Sequence, residues 1–164
     1  MYKVGILVLS DKGSRGERED LSGPAIEACL SSDKFMVIYK NIIPDDIARI
    51  KAELCYISDE LQPNLILTTG GTGFSQRDVT PEATREVVER LAPGISEAIR
   101  YFGMQKTPKA MLSRAVAGIR KTTLIINLPG SVRGVKESLE IVLPVLDHAL
   151  DILSGDATEC GQLK

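Results

Sequence analysis

The residues best suited to chemistry in this chain are carboxylates and hydroxyls around a glycine-rich turn. Residues 69–75 read TGGTGFS. Consecutive glycine amides can point together at an anion such as a phosphate, and the hydroxyls of Thr72 and Ser75 add donors. A tight turn that needs positive φ explains the glycines equally well. Arg77 and Asp78 in the same loop favour a binding site over a plain turn.

Asp45 is the second candidate carboxylate, because it follows another predicted strand. Two carboxylates from separate strand ends, facing a phosphate-binding loop, have the composition of a Mg²⁺ site, which takes one or two protein carboxylates plus substrate phosphates and water. Asp45 could instead only compensate a helix dipole, as Asp46 would, and Asp78 could only form an Asx turn. Chain order leaves Asp11, Asp20 and Asp46 open as further candidates.

A second candidate anion site is the segment 127–131, NLPGS, which leaves a predicted strand and enters a helix. The free amides at a helix N-terminus bind anions, although an ordinary strand-to-helix turn is equally compatible with this segment. Arg114, Arg133 and Lys136 could meet phosphates, but a solvated surface position is favoured for each of them.

Composition and residue counts exclude several classes of function. With 20 Lys and Arg against 22 Asp and Glu among 164 residues, no overall field attracts nucleic acid or anionic lipid. No apolar run approaches the ~18 residues of a membrane helix, and the N-terminus shows no signal-peptide pattern. Cys29, Cys55 and Cys160 contain no CxxC pair and predict neither a zinc site nor a disulfide framework. His148, the only histidine, is expected in a structural or surface role. We therefore expect a cytoplasmic protein acting on a small molecule.

The elements that must position these residues alternate between strands and helices. Nearly continuous apolar runs predict buried strands, and three- and four-residue apolar spacing predicts helices, with Ser22 and Thr80 as N-caps. The predicted strands are residues 4–9, 35–43, 65–69, 115–119 and 123–128; the predicted helices begin near 22, 47, 80 and 135, and a helical pattern also carries residues 83–102. The short link 120–122 predicts a hairpin. The expected fold is a single three-layer α/β/α domain over residues 1–155, with a mostly parallel sheet, one antiparallel strand and a frayed tail at 156–164.

Four polar or glycine-rich stretches follow predicted strands: residues 10–11, 44–45, 69–80 and 127–131. Because ligands of open α/β sheets bind beyond the carboxyl ends of the strands, we expect these stretches to converge on one edge of the sheet.

The sequence TGGTGFSQRDVTPEAT at 69–84 resembles the signature of the molybdenum cofactor biosynthesis Mog/MoaB family. Further matching motifs occur in the same order, at 8–11, 20–24, 43–45, 110–114 and 127–130, so the resemblance covers nearly the whole chain. GGTG alone would be a weak signal, since domains of competence-damage proteins share it. The chain departs from the family in its highly charged first loop, residues 12–19, and at Ser131-Val132-Arg133, where many members have Asn-Pro or similar.

The resemblance implies a reaction that transfers AMP from Mg-ATP to the terminal phosphate of molybdopterin and releases pyrophosphate. Asp45 and Asp78 match the family's essential acids and are the candidate Mg²⁺ ligands. A homotrimer and a downstream metal-insertion protein are also implied, for either a molybdenum or a tungsten pathway. The positions implied to bind pterin and nucleotide are Ser10, Asp11, Ser22, Gly70, Gly71, Thr72, Gly73, Ser75, Ser113, Asn127, Pro129, Gly130 and Ser131.

Two other functions stay open at this point. A non-catalytic molybdopterin-binding protein is one, as in relatives that lack the acidic motif, but the intact Asp45 and Asp78 argue against it. A hydrolase of nucleotide pyrophosphates or of a nicotinamide compound, as in the competence-damage relatives, is the other.

Overall fold

The computed structural model describes residues 1–155; the predicted tail at 156–164, with Cys160, lies outside the described residues. A six-stranded sheet with the order β2-β1-β3-β6-β5-β4 forms the centre. The strands are β1 (Tyr2–Leu9), β2 (Phe35–Ile43), β3 (Leu65–Thr69), β4 (Arg90–Leu91), β5 (Ala117–Arg120) and β6 (Thr123–Leu128). β1, β2, β3 and β6 pair in parallel, whereas β5 is antiparallel to both of its neighbours. The predicted sheet with one antiparallel strand is thus confirmed.

Helices cover both faces of this sheet, which confirms the three-layer arrangement. They are α1 (Asp11–Ser14), α2 (Ser22–Cys29), α3 (Ile47–Tyr56, continued by a π-helical turn at Ile57–Leu61), α4 (Thr80–Val87), α5 (Pro93–Lys106) and α6 (Val132–Ser154), with a 3₁₀ turn at Pro108–Leu112. One apolar core includes residues of α2, α5 and α6, and the other includes residues of α3 and α4. Successive residues of β1 serve opposite cores, Ile6 the first and Leu7 the second. This two-sided burial explains the continuous apolar run.

Three local predictions were wrong. Leu91 was expected on a helix but lies in β4 and is 59% exposed. There the carbonyls of β5 accept hydrogen bonds from the amides of Glu89 and Ala92, at 2.8 and 2.9 Å, so sheet pairing overrides the helical pattern. Neither Ser22 nor Thr80 is an N-cap.

The two residues expected as caps have other partners. The Asp20 carboxylate accepts hydrogen bonds from the amides of Ser22 and Gly23, at 2.9 and 3.1 Å, and so serves the start of α2. The Thr80 hydroxyl is buried and donates to the carbonyl of Gly70 at 3.0 Å. Thr80 therefore joins α4 to the glycine-rich loop.

The connections after β1 and β3 lead to opposite faces, because α2 packs in the first core and α4 in the second. These strands are neighbours in the sheet, and divergence of this kind opens a crevice at their carboxyl ends. In residues 1–155, no helix combines the length and the apolar character required to cross a bilayer.

Candidate functional site

The four loops expected to converge do meet at the carboxyl edge of the parallel strands. The amide of Asp11, after β1, donates to Asp45 Oδ2 after β2, and the amide of Asp45 donates back to Asp11 Oδ1, both at 3.1 Å. At the other side, the hydroxyl of Thr69 in β3 donates to the carbonyl of Pro129 after β6, at 2.7 Å. The topology therefore gathers the candidate residues as the strand order predicted.

Gly70 and Gly71 are required by both conformation and space. Their φ angles are +98° and +64°, which side chains rarely adopt. A methyl group on Gly70 would collide with the carbonyl oxygen of Leu9, and one on Gly71 would collide with Thr80 Oγ1 and lie 2.9 Å from Asp45 Oδ1. The tight turn with positive φ is therefore present, and the glycines also let the loop pack closely against β1 and Asp45.

Asp45 has one carboxylate oxygen with no protein partner. Oδ2 accepts the bond from Asp11, whereas Oδ1 is buried and unbonded. Burial raises the pKa of Asp45, and the negative charges of Asp11 and Asp78 act in the same direction, although the Asp11 amide opposes them. A buried carboxylate oxygen without a partner is costly. A cation beside Oδ1 would remove that cost.

Asp11 connects this carboxylate to the glycine-rich loop. Arg77 donates to both Asp11 oxygens, each at 2.9 Å, and this hydrogen bonding lowers the pKa of Asp11 despite the desolvation that opposes it. The side chain of Arg77 is 62% exposed. The ion pair thus lies across the outer surface of the site.

Asp78 closes the loop on itself instead of forming an Asx turn toward Thr80. Its Oδ2 accepts a hydrogen bond from the amide of Ser75 at 2.9 Å, and its own amide donates to the Ser75 carbonyl at 3.0 Å. A methyl group on Gly73 would lie 2.9 Å from Asp78 Oδ2. The carboxylate therefore lies directly beside Gly73.

Arg114 is the residue whose position the sequence prediction missed. A solvated surface was favoured, but Nε donates to the carbonyl of Gly73 at 2.8 Å, Nη2 donates to the carbonyl of Asp78 at 2.7 Å, and Nη1 pairs with Glu82. Its place in the matched motif at 110–114 was the available signal. The carbonyl acceptors themselves carry no side-chain signature in the sequence.

Two cavities flank the glycine-rich loop and share Ser131. The first, of about 490 Å³, and the second, of about 400 Å³, bring together most of the predicted binding residues. Predicted residues lining the first are Ser10, Ser22, Gly70, Gly130 and Ser131; those lining the second are Thr72, Gly73, Ser113, Pro129 and Ser131. The Ser131 hydroxyl caps α6 by accepting from the Gly134 amide at 3.0 Å. Asp11, Asp45, Gly71, Ser75 and Asp78 line neither cavity, but they are linked to the loop between them by the contacts above.

Asn127 is the exception among the predicted binding residues, and this prediction is corrected. Its side chain is fully buried in β6. Nδ2 donates to the hydroxyls of Thr68 and Thr84, both at 3.0 Å, and Oδ1 accepts from the Val116 amide at 3.1 Å. Every polar group of the amide is thereby bonded inside the protein, so Asn127 is a structural residue.

The residues at this edge are compatible with Mg²⁺. Among residues 1–155, no group of three or more His, Cys, Asp or Glu side chains could hold a metal ion alone. Mg²⁺ does not need such a group, because it commonly uses one or two carboxylates together with substrate phosphates and water. The unbonded Asp45 Oδ1, with Asp78 near enough to raise the pKa of Asp45, matches that requirement.

Of the remaining histidine, cysteine and basic candidates in residues 1–155, only Arg133 lies at this site. His148 is exposed on α6, as expected. Cys29 and Cys55 are half-buried and pack against the two apolar cores. Arg133 lines the second cavity and pairs with Glu137 at 2.8 Å, while Lys136 is exposed.

Comparison with known proteins agrees with this geometry. Residues 5–148 match the family described as "probable molybdopterin binding domain". A molybdopterin adenylyltransferase of Helicobacter pylori is 42% identical over 155 residues, covering 93% of this chain and 88% of that protein. The molybdopterin adenylyltransferase of Escherichia coli K12 is 43% identical over 140 residues, covering 84% of this chain and 72% of that protein.

A solved structure gives the same result for the fold. The crystal structure of the molybdopterin biosynthesis enzyme MoaB from Thermus thermophilus superimposes with a TM-score of 0.90 at 52% sequence identity. The match covers 94% of this chain and 98% of that chain.

Proposed function

This chain belongs to the family of probable molybdopterin binding domains, and we propose that it is a molybdopterin adenylyltransferase of molybdenum cofactor biosynthesis. ATP and molybdopterin are its substrates, and Mg²⁺ is its cofactor. The observation that carries the assignment is the pair of cavities that share Ser131 on either side of a glycine-rich loop, next to the carboxylates of Asp45 and Asp78. A transferase that joins two phosphorylated substrates needs two such spaces that meet.

The reaction needs no strong protein base. An oxygen of the molybdopterin phosphate attacks the α-phosphorus of ATP; the new P–O bond forms as the bond from the α-phosphorus to the bridging oxygen breaks, and pyrophosphate leaves. A phosphate monoester is largely dianionic near neutral pH, since its second pKa is about 6. This agrees with a chain whose single histidine is exposed on α6 and lines neither cavity.

The protein's contribution is binding and orientation. Unbonded backbone amides of the glycine-rich loop and of the start of α6 would donate to phosphate oxygens, and the Asp45 and Asp78 carboxylates would hold Mg²⁺. When bound, Mg²⁺ neutralises charge on the transferring phosphate and orients it. Asp11 fixes the direction of Asp45 through the two reciprocal hydrogen bonds.

The test is release of pyrophosphate by the purified protein from Mg-ATP, with and without molybdopterin. We expect release that depends on molybdopterin. Asp78→Asn should lose turnover while retaining pterin binding. Undiminished turnover by this variant would remove Asp78 from the reaction, and pterin-independent breakdown of nucleotides would favour the hydrolase.

The proposal includes a cytoplasmic location, a homotrimer and delivery of the product to a metal-insertion protein. Exposed apolar side chains on α5 and the following 3₁₀ turn supply a surface for self-association; they are Tyr101, Phe102, Met104, Met111 and Leu112. Sedimentation equilibrium tests the trimer, and a monomer at micromolar concentration would reject it.

A further inference from the structure

The segment from Gly73 to Asp78, which ends the glycine-rich loop, is largely exposed and is held by few hydrogen bonds of its own. Phe74, Ser75 and Arg77 are exposed, and Phe74 is 70% exposed. Within the segment, the amides of Ser75, Arg77 and Asp78 donate to Asp78 Oδ2, to the Ser75 hydroxyl and to the Ser75 carbonyl, respectively. Arg77 bonds Asp11 from the middle of the segment, but a short loop with three internal bonds also needs a contact at its two ends to keep one conformation.

The guanidinium of Arg114 supplies that contact at both ends of the loop. Nε donates to the Gly73 carbonyl at 2.8 Å, and Nη2 donates to the Asp78 carbonyl at 2.7 Å. Because one rigid planar group holds the first and the last residue of the segment, their separation is fixed. The third nitrogen, Nη1, pairs with Glu82 on α4 and holds the fork against that helix.

The segment that carries Arg114 is itself anchored. The Arg114 amide donates to the Thr72 carbonyl at 2.9 Å. From α5, Arg100 Nη1 donates to the carbonyls of Ser113 and Ala115, on either side of Arg114, at 3.3 and 2.9 Å. Arg114 therefore transmits the position of the α5 layer to the loop.

We infer that Arg114 is a positioning residue for adenylyl transfer: it holds the Gly73–Asp78 loop closed so that the Asp78 carboxylate and the loop amides face the reacting phosphates. This inference rests on the proposed function for its catalytic consequence. Lysine cannot replace Arg114, since a single ammonium cannot bond three acceptors in the directions of a planar fork.

The experiment compares Arg114→Lys with Arg120→Lys. Arg120 is the matched control, because it also bonds a carboxylate (Asp59) through two nitrogens and a backbone carbonyl (Val87) through the third, away from the glycine-rich loop. We expect Arg114→Lys to lower kcat at least tenfold, with a circular dichroism spectrum that matches the wild type and so shows an intact fold. Arg120→Lys should keep kcat within twofold. A kcat for Arg114→Lys within twofold of wild type would overturn the inference.

Two further readouts separate positioning from a general structural role. If Arg114 acts by positioning Asp78, its substitution should matter little once Asp78 has been replaced. The single-turnover rate of the double variant Arg114→Lys/Asp78→Asn should therefore lie within threefold of that of Asp78→Asn alone. Fully additive losses would contradict it. In the ligand-free protein, hydrogen exchange of the Ser75 and Asp78 amides should be at least tenfold faster in Arg114→Lys and unchanged in Arg120→Lys.

The exchange measurement also keeps the two proposals apart. If the wild-type protein releases no pyrophosphate, the proposed function fails, but the exchange rates still decide whether Arg114 holds the loop. Unchanged exchange at Ser75 and Asp78 in Arg114→Lys would reject the inference even in an active enzyme.

Discussion

Asp11 and Asp45 hold each other through two reciprocal hydrogen bonds, in which the backbone amide of each donates to the carboxylate of the other at 3.1 Å. This pair of hydrogen bonds joins the ends of β1 and β2. It occupies Asp45 Oδ2 and leaves Asp45 Oδ1 without a partner. The direction of the unbonded oxygen is thus set by backbone atoms. The same bonds tie Asp45 to the residue that Arg77 contacts from the glycine-rich loop.

The first prediction distinguishes the role of Asp45 in the reaction from that of the adjacent Asp46. Asp45→Asn should lower pyrophosphate release about 100-fold or more, as expected for the loss of an electrostatic group at the reacting phosphate. Its melting temperature should not fall, because burial and nearby carboxylates oppose the charged form of Asp45. Asp46→Asn is the control: Asp46 caps α3 by accepting from the Arg49 amide at 2.8 Å, and asparagine caps equally well. Equal losses in both variants would contradict the assignment.

A second prediction concerns Gly71. Gly71→Ala places a methyl group against Thr80 Oγ1 and Asp45 Oδ1; we expect about 2–4 kcal/mol loss of unfolding free energy from crowding and backbone strain, together with loss of turnover. Gly16→Ala is matched in backbone, with φ of +71° and no atom within 4 Å of the added methyl group. It should lose only about 1–2 kcal/mol and keep full activity. Urea denaturation measures the unfolding free energy of both variants. Similar losses in Gly71→Ala and Gly16→Ala would contradict the predicted crowding at Gly71.

Asn127 offers a test of structure against binding. Asn127→Ala removes three buried hydrogen bonds, to the hydroxyls of Thr68 and Thr84 and to the Val116 amide, and within residues 1–155 only Thr84 keeps another side-chain bond, to the Thr80 carbonyl. We therefore expect a loss of about 2–4 kcal/mol in unfolding free energy. The KM for either substrate should be unchanged at a temperature where the variant is folded. Asn64→Ala, which removes one exposed bond from the Lys3 amide, should lose about 1 kcal/mol or less. A raised KM without a loss of stability would restore Asn127 to the binding site.

The free energy of unfolding at acidic pH should depend on the ionisation of Asp59. Hydrogen bonds from Arg120, followed by those from Lys121, lower the pKa of Asp59 from 3.8 to about 2. A carboxylate with a depressed pKa in the folded state stabilises above its unfolded pKa, and that stabilisation disappears as the pH falls from about 4 to about 2. With 23% of the Asp59 side chain exposed, solvent screening reduces the effect to about 1 kcal/mol.

Urea unfolding of Asp59→Asn across this pH range measures the effect. The stability difference from wild type should shrink as the solution becomes more acidic. Glu17→Gln is the control, because both side chains of the Arg15–Glu17 pair are more than half exposed, and it should leave the profile unchanged. A constant difference between wild type and Asp59→Asn would contradict the prediction.

Sequence patterns predicted five of the six strands, because segments buried on both faces, such as residues 4–9 of β1 and 65–67 of β3, carry nearly continuous apolar runs. They wrongly predicted a helix at Leu91, where the chain pairs with the edge of β5 as a strand. They also wrongly predicted the N-caps of α2 and α4. The Asp20 carboxylate accepts from the amides at the start of α2, and the Gly71 carbonyl accepts from the Thr80 amide at the start of α4. Such contacts depend on which segments meet in space, and local propensity carries no information about that.

The sequence by itself determined the α/β fold class and the edge of the sheet where the loops converge, because strand alternation and strand-end position are properties of chain order. It proposed Asp45 and Asp78 among several strand-end carboxylates only through the matched family motifs. The tertiary structure alone decided which polar groups are already bonded and which are free. Asn127 is fully bonded, Asp45 Oδ1 is unbonded, and Arg114 grips two loop carbonyls. Hydrogen-bond saturation depends on distance and direction between segments far apart in sequence, and those quantities exist only once the chain has packed.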